Sequence, residues 1–215
     1  MSRINQQKIQ QRIPIYVPNL KVNLDAPIQL SVCLCMLDKL NTGQMQSYFK
    51  RSFVVYVGDG KLDNINSVSI NTPSNKRNAY LSFVVANKQY FDLMIVLDDA
   101  TADLTSFSCC SPNRLETWDA VFANQTYKYY DIESLEPKPN LSKRELQKHI
   151  PSTSSPIPVV SAFGGLALYK TRFLSENMYG SEGHVLFNTR FGGQRKFVDP
   201  SLLLITKPEM AAFYV

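Results

Sequence analysis

Two adjacent carboxylates, Asp98 and Asp99, follow directly on the apolar run Leu93–Leu97. A short apolar run that stops at a polar break reads as a strand buried on both faces. Ligands of open α/β sheets collect at the carboxyl ends of such strands. Two acids placed there suit a hard divalent cation, which in turn can hold a phosphate. The competing reading is the polar loop that follows any strand. Gly164-Gly165, inside the apolar stretch 159–170, permits close approach of another backbone or a ligand, or forms a bulge. Arg77 sits in the first turn of a predicted helix and either snorkels into solvent or points at an anion. His184 is one of only two histidines, and a lone histidine is commonly structural or solvated. Gly58-Asp59-Gly60 lacks the helix and the Lys-Ser/Thr of a phosphate loop and reads as a tight turn.

The elements that must position these residues alternate in type. Residues 1–27 are polar, with Pro14, Pro18 and Pro27, and are expected to form an arm over the domain with a short edge strand near 13–17. Ile28–Met36 is the first expected core strand, followed by a helix over 44–51 and a second strand over 52–57. Strand, helix, strand predicts a right-handed crossover and a parallel pair. A helix over about 74–88, capped by Ser74 or Asn75, presents Ala79, Leu81, Val84 and Val85 on one face. Residues 115–124, with the single tryptophan Trp118 and the acid Asp119 at its entrance, read as a strand. The polar segment 137–158 holds an expected helix over 142–149 and is a candidate mobile loop or lid. Residues 159–170 read as one strand interrupted by glycines, 171–174 as a helical turn, 197–205 as a last strand and 206–215 as a tail.

A chain of 215 residues, 44% hydrophobic and 19% charged, suits one globular domain with a real core. No apolar run approaches the ~20 residues that cross a bilayer, and the N-terminal residues lack the apolar core of a signal peptide. A cytoplasmic protein is expected. The net charge of +5 comes from scattered Lys and Arg without a basic stripe, which argues against nucleic acid as the partner. Cys33 and Cys35 would share one face of a strand, and the adjacent Cys109 and Cys110 could not close an unstrained bridge, so all four are expected to be reduced.

Four blocks in sequence order resemble nucleotide-sugar glycosyltransferases of the GT-A fold, closest to small cytosolic members related to fungal capsule mannosyltransferases and to those encoded by large algal viruses. They are Lys76-Arg77-Asn78; Val96-Leu97-Asp98-Asp99; Trp118-Asp119-Ala120-Val121-Phe122-Ala123-Asn124-Gln125 with Tyr129-Tyr130-Asp131; and Ser161-Ala162-Phe163-Gly164-Gly165-Leu166-Ala167-Leu168-Tyr169-Lys170 with Glu182, His184 and Val185. The resemblance spans roughly 28–205. It implies an α/β fold, a single GT-A-like (Rossmann-like) domain with a central, mostly parallel mixed sheet flanked by helices. It also implies transfer of a sugar from a UDP- or GDP-sugar to a hydroxyl of a glycan or glycoprotein acceptor, with Mn2+ or Mg2+ as cofactor. By this resemblance Asp98, Asp99 and His184 would hold the metal, and Arg77, Asn78, Asp98, Gly164 and Gly165 the nucleotide or sugar. Asp119 or Glu182 would be the catalytic base, with Asp131 in reserve. If virus-encoded, the protein would work in the host-cell cytoplasm.

The chain departs from this pattern at two places. Val96 stands where the motif has its first acid, and Gly183 separates Glu182 from His184. These departures favour an alternative, a non-catalytic or degenerate sugar-binding domain, or a module of a larger glycan-synthesis enzyme. A nucleotidyltransferase is the third reading, but residues 36–42 offer only Asp38-Lys39 where a glycine-rich basic loop belongs. Retention or inversion is not decided by the fold.

Overall fold

Ile28–Met36 forms the first strand, β1, in a computed structural model of the chain that describes residues 28–37, 46, 48–58, 66–72, 75–97, 103–104, 107–125, 131–139, 142–146, 150–176, 178–180 and 183–205. The arm 1–27 and the tail 206–215 lie outside the described residues. Along β1 the pleat sends alternate side chains to opposite faces. Cys33 and Cys35 join one core with Met94, Val96, Tyr80, Leu81 and Phe187. Val32, Leu34 and Met36 join a second core with Leu93, Ile95, Leu97, Phe107 and Trp118. The sheet is therefore covered on both sides, which is why its central strands carry unbroken apolar runs.

β2, Phe49–Val57, pairs in parallel with β1, as the strand-helix-strand pattern predicts. It begins earlier than expected. Phe49, Lys50 and Arg51 belong to the strand because Phe49 pairs with Ile28 and Arg51 with Ser31, leaving Gln46 and Tyr48 as the described helical residues before it. β3, Ser67–Ile70, adds a further parallel strand that no sequence pattern announced. α1, Lys76–Ala86, is the predicted amphipathic helix, and the Asn75 side chain caps it by accepting from the Asn78 N–H at 3.2 Å. β4, Leu93–Leu97, has every residue buried. Each such side chain stabilises the fold by roughly 1.5–3 kcal/mol relative to exposure.

β5, Asp103–Leu104, is followed by the one-turn helix α2, Pro112–Leu115, with proline in its first turn. The strand expected over 115–124 is therefore shorter at its start: β6 is Ala120–Gln125. Trp118 precedes it, buried, with its indole N–H donating to the Cys109 carbonyl at 2.8 Å. All four cysteines are buried and free, as expected. β7, Glu136–Pro137, and α3, Lys143–Leu146, come next. The stretch 159–170 is not one strand. β8, Ile157–Ser161, and β9, Leu166–Lys170, are separate and pair with different neighbours, with Ala162 to Gly165 turning between them. A 3-10 turn, Thr171–Phe173, then α4, His184–Arg190, and β10, Lys196–Ile205, complete the order.

The strand order is β3-β2-β1-β4-β9-β6-β10-β8-β7, with β5 against β10. β3, β2, β1 and β4 are parallel. β9 runs antiparallel between β4 and β6, so β6 and its parallel partner β10 point the same way as β4. The result is an α/β, Rossmann-like architecture with a mostly parallel mixed sheet flanked by helices. Among the described residues no helix is long and apolar enough to cross a membrane.

Candidate functional site

From β1 the chain runs outward to β2 and β3, then returns to the other side of β1 at β4. This reversal makes the carboxyl ends of β1 and β4, Met36 beside Leu97, a topological switch point where α/β sheets open a crevice. Asp98 and Asp99, joined to Leu97, lie outside the described residues, as does Glu182. The described residues around Leu97 supply the frame. Leu97 pairs with Leu166, the residue after Gly165. Gly164 and Gly165 have φ of 67° and 83°, left-handed backbone that a Cβ would strain. They are a turn leading into β9 rather than an interruption within a strand. Asp131 holds this turn: one carboxylate oxygen accepts from the Gly164 N–H at 3.2 Å and the other from the Ser134 N–H at 3.4 Å. Phe163 stacks on the ring of His184 at 3.6 Å and 9°. Asp131, Gly164, Gly165 and His184 are thus brought together by direct contact or chain neighbourhood.

A buried polar network fixes these groups. The Asn188 amide donates to Ser161 Oγ at 2.9 Å and to the Ala162 carbonyl at 2.8 Å, and accepts from the Tyr169 hydroxyl at 3.0 Å. Ser161 Oγ donates in turn to the Ser134 carbonyl at 2.8 Å. One side chain of α4 therefore ties β8, β9 and the Asp131 loop together. Such fully satisfied buried networks specify a single arrangement. Nothing in the sequence pattern singled out Asn188, because an asparagine on a short helix carries no motif.

Asn78 is already engaged. Its amide donates to the Tyr179 carbonyl at 2.9 Å, and its Oδ1 accepts from the Tyr179 N–H at 3.2 Å. Tyr80 and Tyr179 also join hydroxyls at 2.9 Å. Tyr179 in turn meets His184 edge-on, with ring centroids 5.5 Å apart. Asn78 thus positions the wall beside His184. Arg77 is half-buried next to it, with its Nε shielded from solvent.

Of the three metal ligands implied by the resemblance, only His184 is described. It is buried, the first residue of α4, and held in one orientation by Phe163. A fixed ring suits a ligand whose nitrogen must be aimed, and it equally suits a packed core histidine. Among the described residues no three His, Cys, Asp or Glu side chains gather as a metal site. A cation here would need Asp98 or Asp99 beside His184.

Asp119 does not belong to this end of the sheet. Its carbonyl accepts from the Lys170 N–H at 3.1 Å, and Lys170 pairs with Leu93, so Asp119 lies level with the start of β4. Leu93 and Leu97 are four residues apart on a strand, about 13 Å. The Asp119 carboxylate forks onto Arg195, with Oδ1 2.6 Å from Nη2 and Oδ2 3.3 Å from Nε. Oδ2 also accepts the backbone N–H groups of Gln194 and Arg195. Burial pushes this carboxyl up, but the hydrogen bonds and charge of Arg195 outweigh it and hold the group below the usual carboxylate range. Its role is to pin the loop before β10 to the start of β6.

That same amino-end of the sheet carries a cavity of about 820 Å³, lined by Arg51, Lys88, Asp92, Glu116, Lys170 and Arg172 among others. Lys170 closes the fourth sequence block without an assigned role, and Arg172 lies outside the blocks. The available signal was a lysine closing an otherwise apolar strand with an arginine two residues on.

No protein-family model matches the chain, and no curated protein sequence matches it. Among solved structures the chain is similar to A197 from STIV at 13% identity, over 80% of this chain and 83% of that one, with a TM-score of 0.49.

Proposed function

We propose that the protein is a metal-dependent glycosyltransferase that moves a sugar from a nucleoside-diphosphate sugar, UDP- or GDP-linked, to a hydroxyl of a glycan acceptor in the cytoplasm. The observation that supports this reading is the left-handed Gly164-Gly165 turn, held by Asp131 beside the end of the strand that leads into Asp98 and Asp99. A turn without side chains lets a donor sugar or diphosphate approach the backbone closely. Asp98, Asp99 and His184 would hold a Mn2+ or Mg2+ ion, which when bound neutralises charge on the departing diphosphate. Arg77, in the first turn of α1, would face the nucleotide. The proton of the acceptor hydroxyl would pass to a carboxylate, for which Glu182 and Asp131 are the candidates. Asp131 keeps lone pairs beyond its two backbone hydrogen bonds, so it can accept a proton while holding Gly164.

The deciding experiment is a thermal-shift screen of nucleotide sugars with and without Mn2+, run on wild type and Asp98→Ala. Stabilisation by one donor only with Mn2+, and its loss in Asp98→Ala, is the expected result. Donor binding that ignores both metal and Asp98 would sink the metal-dependent reading. One observation favours a second reading, a sugar-binding domain without turnover. Val96 is completely buried in the core where the resembling family has an acid. Sugar binding with no metal dependence and no donor hydrolysis would select it.

A further inference from the structure

Lys170 ends β9 with its side chain only 6% exposed, yet its ammonium makes no hydrogen bond. Its nearest carboxylate oxygen, on Glu116, is 3.6 Å away on a side chain 74% exposed. A buried ammonium without a hydrogen-bonded counterion is costly to the fold. The Trp118 ring, 5.4 Å from the amine, offsets part of this cost. Removal from water, and after it the neighbouring Arg172 charge, pull the Lys170 pKa down against the upward pull of Glu116 and Asp119. The cavity of about 820 Å³ that Lys170 lines holds three more cations, Arg51, Lys88 and Arg172. Arg51 and Lys88 enter no ion pair among the described residues, and Arg172 reaches only Glu116, at 3.9 Å. Two carboxylates line the cavity, Asp92, which accepts the Ser31 N–H at 2.7 Å, and Glu116, so among the described lining residues four cations face two acids.

We propose that this cavity is a binding site for a phosphoryl anion, with Lys170 as its buried anchor and Arg51, Lys88 and Arg172 at its rim. It lies at the amino-ends of β1 and β4, at the opposite end of β4 from Leu97, and so is distinct from the proposed donor site. Such an anion would give Lys170 the charge-assisted hydrogen bond that Glu116 does not supply. The group can arrive on a soluble phosphate compound or on a lipid headgroup.

The test uses the full chain in EDTA, so that metal-dependent binding at the carboxyl end is silent, and includes Asp98→Ala as a control expected to behave as wild type. Pyrophosphate binding is measured by calorimetry, and sedimentation is followed with phosphatidylcholine vesicles with and without phosphatidic acid. The variants are Lys170→Gln and the double variant Arg51→Gln/Arg172→Gln, which leaves the core untouched. Weakening of at least about tenfold in a variant that melts like wild type supports the site. Loss with pyrophosphate assigns a soluble ligand, and loss confined to phosphatidic-acid vesicles assigns a lipid headgroup. Failure of wild type to bind either probe, or unchanged affinity in both variants, overturns the proposal.

Discussion

Asp119 and Arg195 meet at 2.6 Å, and the carboxylate also accepts the backbone N–H groups of Gln194 and Arg195 at 3.1 and 3.0 Å. This single acid thereby closes the approach to β10 onto the start of β6. Asp119→Ala leaves those backbone donors without their acceptor and is expected to destabilise the fold by about 1–3 kcal/mol, read by urea denaturation. Metal-dependent donor binding at the other end of the sheet should persist. Loss of donor binding without loss of stability would return Asp119 to the active site.

The same contact sets a pH dependence. The Asp119 carboxyl titrates lower in the folded than in the unfolded chain. Its stabilising contribution is therefore complete above the unfolded carboxylate pKa, about 3.9, and is lost as pH falls through the lower folded value. Thermal melts of wild type and Asp119→Asn should converge as pH drops below about 4. A gap that stays constant from neutral pH to well below that value would refute the assignment.

The placement of Asp119 also shows what the sequence could and could not say. Asp98 follows a buried strand while Asp119 precedes one, and β4 and β6 point the same way. Leu97, which Asp98 follows in sequence, and Asp119 therefore sit at opposite ends of the sheet, but that follows only once the strand directions are known. β4 was legible because burial on both faces demands an unbroken apolar run, and α1 because Asn75 caps it. Gly164-Gly165 stand out within the apolar stretch 159–170, but that stretch gives no sign that they separate two strands. Hydropathy cannot register that Val159 pairs towards β7 while Leu166 pairs with Leu97. The surroundings of Asn188 and Lys170 escape hydropathy for the same reason, since they are set by tertiary contacts.

Asn78 and Tyr179 are joined in both directions between the Asn78 amide and the Tyr179 backbone, across 101 residues of sequence. Asn78→Ala removes both bonds and should cost about 1–3 kcal/mol in denaturant titrations. Because Tyr179 packs edge-on to His184, the same variant should also weaken donor binding. Asn78→Asp keeps the acceptor and loses the donor, and is expected to fall between wild type and alanine. Equal stability of all three proteins would remove Asn78 from its positioning role.

Gly165 adopts φ of 83° immediately before the strand that pairs with β4. Gly165→Ala forces a side chain into left-handed backbone at a cost of roughly 1–2 kcal/mol. On the proposed function the Cβ would also stand in the way of the donor diphosphate. The expected outcome is a modest drop in melting temperature with a much larger loss of donor binding, measured on the same samples. Loss of stability alone would make the glycine purely a turn residue.

His184 separates the metal reading from the packing reading most sharply, because its ring does two things at once. It stacks on Phe163 at 3.6 Å and meets Tyr179 edge-on, contacts that any flat aromatic ring can make. It also carries nitrogens that only imidazole can offer a cation. His184→Phe preserves the stack and deletes the nitrogens, so the melting temperature without metal should stay close to wild type. The additional stabilisation by Mn2+ plus nucleotide sugar should disappear, whereas His184→Ala should lose both the stack and the metal response. If His184→Phe responds to Mn2+ and donor as wild type does, the histidine is a packing residue and the metal rests on Asp98 and Asp99 alone.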